Sequence, residues 1–163
     1  MLSLVDFSFI IEEHYKNLIE DSSKKTVITL FFIIPVFLSS LLIIFNKLLN
    51  TDIINTLIVA FSIFTAFLPN VIFIQLGMRK DLKKDKTLSD IALKVSEHLY
   101  TDSVYSLLIS ILMLSILVAL LIINQMGMIL SLIVYTLTIH FLITFLMVVQ
   151  RVFVLFFPHD LED

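Results

Sequence analysis

The sequence predicts an all-α protein, an integral membrane four-helix bundle with a small cytoplasmic helical layer. Three observations carry this. Four runs nearly free of charge lie at roughly Thr26 to Phe45, Ile53 to Leu76, Val104 to Ile123 and Met128 to Phe157. A helix rises about 1.5 Å per residue, so about 20 residues cross the hydrocarbon of a bilayer, and each run is long enough. Hydrophobic residues make up 59% of the 163 and charged ones 15%, more apolar surface than a soluble domain of this size can hide. Two glycines and three prolines are too few for the turns of a transmembrane barrel, the other structure that satisfies a backbone in lipid.

Residues 1–25 read as a cytoplasmic amphipathic helix. Leu4, Phe7, Ile11, Tyr15 and Leu18 recur at three- and four-residue steps, and Ser3 with Asp6 forms a capping-box-like start. Asp6, Glu12, Glu13, Glu20 and Asp21 make this the wrong start for a secretory signal. Residues 26–77 then form a first transmembrane hairpin. Its spans contain Pro35 and Pro69, each of which removes a backbone hydrogen bond and predicts a bend.

Residues 78–103 form a basic and amphipathic segment. Arg79, Lys80, Lys83, Lys84 and Lys86 follow span two directly, and Thr87 with Asp90 starts a helix whose stripe is Leu88, Ile91, Ala92, Val95 and Leu99. Residues 104–157 form the second hairpin. Arg151 lies about 23 residues from its turn, beyond a core of about 30 Å, so span four runs on into the cytoplasm. Pro158 stops it, and an acidic tail, 158–163, follows. Ser106 with Ser110, and Ser115 with Ala119, are small residues at four-residue spacing, which suits span three to close helix contact.

Orientation follows from the positive charges. Ten of the eleven Lys and Arg residues fall in the tail, the 78–103 segment or the end of span four; Lys47 alone lies in the opposite turns. Both ends and the central segment are therefore expected in the cytoplasm, with the protein in the inner membrane. Leu88, Ile91, Val95 and Leu99 are expected to pack in a layer with the N-terminal helix and the end of span four; the competing arrangement lays that helix flat in the interface. Glu13-His14-Tyr15 and Glu97-His98-Leu99-Tyr100 each precede a hairpin, a faint parallel repeat best read as coincidence.

Asn70 and His140 are the candidate intramembrane polar residues. His140 lies about 18 Å from the outer turn by helical rise, with Asn70 expected at comparable depth. Lipid offers neither a partner, so each needs one from protein, and His140 is expected to bond Asn70, Thr136 or Thr144. A proton relay would want a neighbouring carboxylate in the membrane. Arg79, Lys80, Lys83, Lys84 and Lys86 are the candidate contacts for anionic lipid or a partner; the interspersed Asp81 and Asp85 argue against nucleic acid. No cysteine is present, and no HExxH, phosphate-binding glycine loop or GxSxG occurs. No catalytic residue, metal or cofactor is expected, and the protein is not expected to be an enzyme.

Two functional classes remain. One is a scaffold that oligomerises and presents a cytoplasmic helical surface to a soluble partner. The other is an oligomeric pore or membrane-perturbing effector, holin-like or channel-like, lined by Ser, Thr, Asn70 and His140. With four spans over 26–157 and a basic segment at 79–86, the chain resembles, in architecture, the small four-span membrane subunits of bacterial anti-phage defence systems such as Kiwa. That resemblance implies a homo-oligomer with a cytosolic partner that handles nucleic acid.

Overall fold

In the computed structural model, which describes residues 7–82, 90–123 and 127–156, five helices form one bundle. They are α1 (Phe7–Asp21), α2 (Lys24–Ile44), α3 (Thr51–Leu82), α4 (Asp90–Ile123) and α5 (Met128–Phe156). The last four are long and apolar enough to cross a membrane. The protein is a multi-pass, all-α membrane protein.

Local chemistry sets the boundaries. Ser23 caps α2, its Oγ accepting the Thr26 N–H at 3.2 Å. Asn46, at φ 55°, ends α2, with Asn46 N–H on Ile43 O and Lys47 N–H on Leu42 O; asparagine tolerates that left-handed conformation at a helix C-terminus. Asn50 Oδ1 then accepts the Ile53 N–H at 2.8 Å and starts α3. Leu49, in the same turn, is buried and donates its N–H to Ser131 Oγ at 3.1 Å.

The central pair is α4 and α5. α3 packs on α4 and α2 packs on α5, while α2 and α3, neighbours in sequence, make no close backbone approach. The first hairpin is therefore a connection, not a packed pair. α4 is central because of its seam: Ser96, Leu99, Ser103, Ser106, Ser110, Met113, Leu117 and Leu120 are all buried at alternating three- and four-residue steps. α3 answers with Ile54, Phe61, Leu68 and Gln75, buried every seventh residue, the spacing of left-handed coiled packing. Serines let the two backbones close up, and they also bond: Thr65 donates to Ser110 and Gln75 Nε2 to Ser103, both at 3.0 Å.

The helix expected from Thr87 is not separate from span three: from Asp90 it is the first part of α4. α1, for which the sequence offered a packed and a flat placement, packs on α4 and reaches the spans. Phe7 and Ile10 share a crevice with Leu107, Leu108, Ile111 and Leu112, so the start of α1 lies beside the middle of α4. Phe7 (57%) and Ile11 (40%) of the predicted apolar stripe are exposed, while His14, Asn17 and Leu18 are buried. The physical reason is the medium: beside lipid, apolar side chains gain little from burial, whereas polar ones lose much without it.

Candidate functional site: a polar junction of three helices

Where α1, α4 and α5 meet at the basic end of the bundle, their titratable side chains form one network. Asp102, two residues before the apolar run of α4, is fully buried. Its Oδ1 accepts from His14 Nδ1 of α1 at 2.8 Å, and its Oδ2 accepts from Arg151 Nη1 of α5. Arg151 Nη2 donates to Asp21 Oδ2 at 2.7 Å, and His98 Nδ1 lies 3.0 Å from the same oxygen. At the exposed rim, Lys94 reaches Glu20 at 3.5 Å. Arg151 thus bridges carboxylates of two different helices. A guanidinium suits this, because its planar fork presents several donors in fixed directions.

The arrangement is forced by desolvation. An unpaired carboxylate out of water costs several kcal/mol (roughly), so a buried Asp persists only with donors on both oxygens. His14 is equally buried, its ring stacked on Tyr105 with centroids 3.9 Å apart. Its Nε2 meets no partner among the described residues.

A second chain of polar groups runs from this junction into the membrane. Tyr105 Oη lies 2.9 Å from His140 Nε2, and His140 Nδ1 lies 3.0 Å from the Phe31 carbonyl. A carbonyl only accepts, so Nδ1 carries the proton, and Tyr105 donates to Nε2 of the neutral ring. The Tyr15 hydroxyl, 3.4 Å from that of Tyr105, extends the chain towards α1; burial raises the Tyr15 phenol above its ordinary value. The Phe31 carbonyl is available for a reason written in the sequence. Its helical donor would be the N–H of residue 35, and residue 35 is proline. The helix widens there into a π-type turn, Thr29–Ile33, closed by Ile34 N–H on Thr29 O. His140 supplies the donor that Pro35 lacks.

His140 therefore meets neither Asn70 nor a threonine side chain. Thr144 donates to the His140 backbone carbonyl at 3.0 Å, and Thr136 pairs with Ser39 of α2 at 2.8 Å. Asn70 faces away from the bundle, its Nδ2 on Ala66 O at 3.2 Å. Of the stripe predicted for the cytoplasmic layer, Leu99 is buried and Val95 is half-buried near Leu18, Val27 and Arg151. Ile91 lies in the first turn of α4, and Arg79 and Lys80 near the end of α3, with side chains outside the described set. Lys83, Lys84, Lys86 and Leu88 lie outside the described residues.

Sequence reasoning missed Asp102 as a site residue and took Arg151 as a mark of topology alone. A signal existed. Asp102 and Arg151 lie nearly the same number of residues from the turn at 124–127, so an antiparallel hairpin brings them level. Comparison with protein-family models, curated proteins and solved structures returns no match.

Proposed function

We propose that the protein is a non-enzymatic scaffold of the inner membrane that oligomerises and presents α1 and the adjoining turns of α4 to a soluble cytosolic partner. The observation that carries this reading is the attachment of α1. His14–Asp102 and Asp21–Arg151 tie it to α4 and α5, so the side of it that adjoins the first turns of α4 is held in place. Glu13, Lys16 and Glu20 of α1 and Lys94 and Glu97 of α4 line a groove of about 410 Å³ there. A pre-organised surface loses little conformational freedom on docking.

Apart from His14 Nε2, the buried charged atoms of the junction are engaged with one another, which supports a structural role over a catalytic one. Phe61, Phe64, Phe141 and Phe145 fill the space between α3 and α5, so the competing reading, a pore, requires a ring of copies. The positive-charge asymmetry supports cytoplasmic ends, with Arg79, Lys80, Lys83, Lys84 and Lys86 on anionic headgroups. The architectural resemblance to anti-phage membrane subunits supports a defence role in which the partner, not this chain, handles nucleic acid.

Reconstitution and affinity capture test the reading together. Liposomes carrying the purified protein should retain their ions. A soluble protein from the native host should copurify with it, and should be lost in Lys16→Glu/Lys94→Glu at unchanged membrane levels. Single-channel conductance from the reconstituted protein would replace the scaffold with the pore.

A further inference from the structure

α3 packs along one side only. Ile54, Phe61, Leu68 and Gln75 face the bundle; on the opposite side Val59, Ile63, Phe67, Asn70 and Ile74 are all exposed. Their steps of four, four, three and four residues put them on a single stripe, the pattern of a seam between two helices crossing at a small angle. α3 is also the span least covered by the rest of the chain.

Asn70 says what covers this stripe. By helical rise it lies about 13 Å short of Arg79 and about 27 Å from Asp52, inside the hydrocarbon. Its Nδ2 reaches Ala66 O, but its Oδ1 meets no donor among the described residues. Ser115, also exposed on a span, donates its one proton to its own backbone at 2.9 Å, as half-buried Ser40 does at 2.7 Å. A carboxamide cannot be satisfied that way, since its oxygen still lacks a donor and acyl chains offer none. A carboxamide is at once donor and acceptor, so the same residue related by a two-fold axis completes it reciprocally. Val59, Ile63, Phe67 and Ile74 supply the apolar seam around that pair.

We infer that this face of α3 joins two copies of the chain, with the Asn70 carboxamides paired across the two-fold axis. The inference rests on the oligomeric reading above and names its contact surface. The bundle's closest contacts use the other side of α3; Phe67 and Ile74, at the edge of the stripe, also border a crevice with Phe145, Val148 and Val149 of α5.

The absence of cysteine makes the test direct. Ile63→Cys, Phe67→Cys and Ile74→Cys, oxidised in native membranes, should each give disulfide-linked dimers. Phe37→Cys on α2 and Leu146→Cys on α5, equally lipid-facing positions at 60% and 66% exposure, should not. Asn70→Leu should weaken association about 3- to 20-fold, measured by energy transfer as the protein is diluted in lipid, and Asn70→Gln should retain part of it. Cross-linking through Phe37→Cys or Leu146→Cys alone would overturn the inference and leave an oligomer assembled through another face. Monomers at every protein-to-lipid ratio would overturn both. Undiminished association in Asn70→Leu would overturn the pairing, leaving lipid or another group on the amide.

Discussion

Asp102 carries the largest electrostatic burden of any side chain in the junction, because it is the fully buried carboxylate on which two helices converge. Asp102→Ala leaves Arg151 and His14 facing each other without it and should cost about 3–5 kcal/mol of stability, read from unfolding in mixed micelles. Asp102→Leu combined with Arg151→Met should recover most of that loss, since apolar replacement of a buried ion pair is often neutral. Tyr15 contributes a pH dependence of definite sign. Its folded-state phenol is raised by burial, so it stays protonated after an unfolded tyrosine has ionised near about pH 10. Its contribution is complete below that pH and is lost as pH climbs through the raised value. Thermal unfolding followed from pH 9 to 11 should show a shallower decline in Tyr15→Phe. Residue identity made His140 and Asn70 visible in the sequence as polar groups in lipid. Their partners were not visible, because the Tyr105 hydroxyl and a backbone carbonyl freed by proline look like ordinary parts of apolar spans.

At the scale of elements, the π-type turn before Pro35 and the placement of α1 are the two features that organise the site. His140→Ala strands the Phe31 carbonyl, at about 1–3 kcal/mol for an unmet buried group, and leaves the Tyr105 hydroxyl only its long contact with Tyr15. Pro35→Ala restores a donor N–H to α2, so the double variant should lose less than the sum of the singles, a coupling that a double-mutant cycle measures. α1 carries Phe7 to Ile11 without a charge before Glu12, and Phe7 is 57% exposed beside Leu107 and Ile111 of α4. A tryptophan at Phe7, in a chain that has none, should be quenched by lipids brominated along the acyl chain; one at Lys16 should be quenched weakly. The amphipathic period of α1 was legible in the sequence. Which face it buries was not, since the rule that apolar residues go inside holds for water and fails beside lipid.

On the scale of the whole molecule, the charge pattern makes the orientation testable without further structure. In a cysteine-free background, Lys47→Cys should react with a membrane-impermeant maleimide in intact cells, and Lys84→Cys only after permeabilisation. Reaction at Lys84→Cys from outside would invert the topology and move the α1 surface to the other side of the membrane. The row of helices, α3 on α4, α4 on α5 and α5 on α2, leaves both flanking spans with broad lipid-facing surfaces. That is why a single copy looks incomplete along α3, where Asn70 lies.

The sequence by itself determined the medium and the number of spans, because runs of about 20 uncharged residues have one stable solution in a bilayer. It also determined which side chains would be short of partners in lipid. Only the tertiary structure decided which helices touch, that α1 leans on α4, and that Asp102, Arg151, Asp21, His14 and His98 share one network. Hydropathy reports transfer from water to lipid and is nearly blind to neighbours already in lipid. Packing between spans is decided instead by small-residue fit and hydrogen bonds at particular atoms, and those appear only once the helices are side by side.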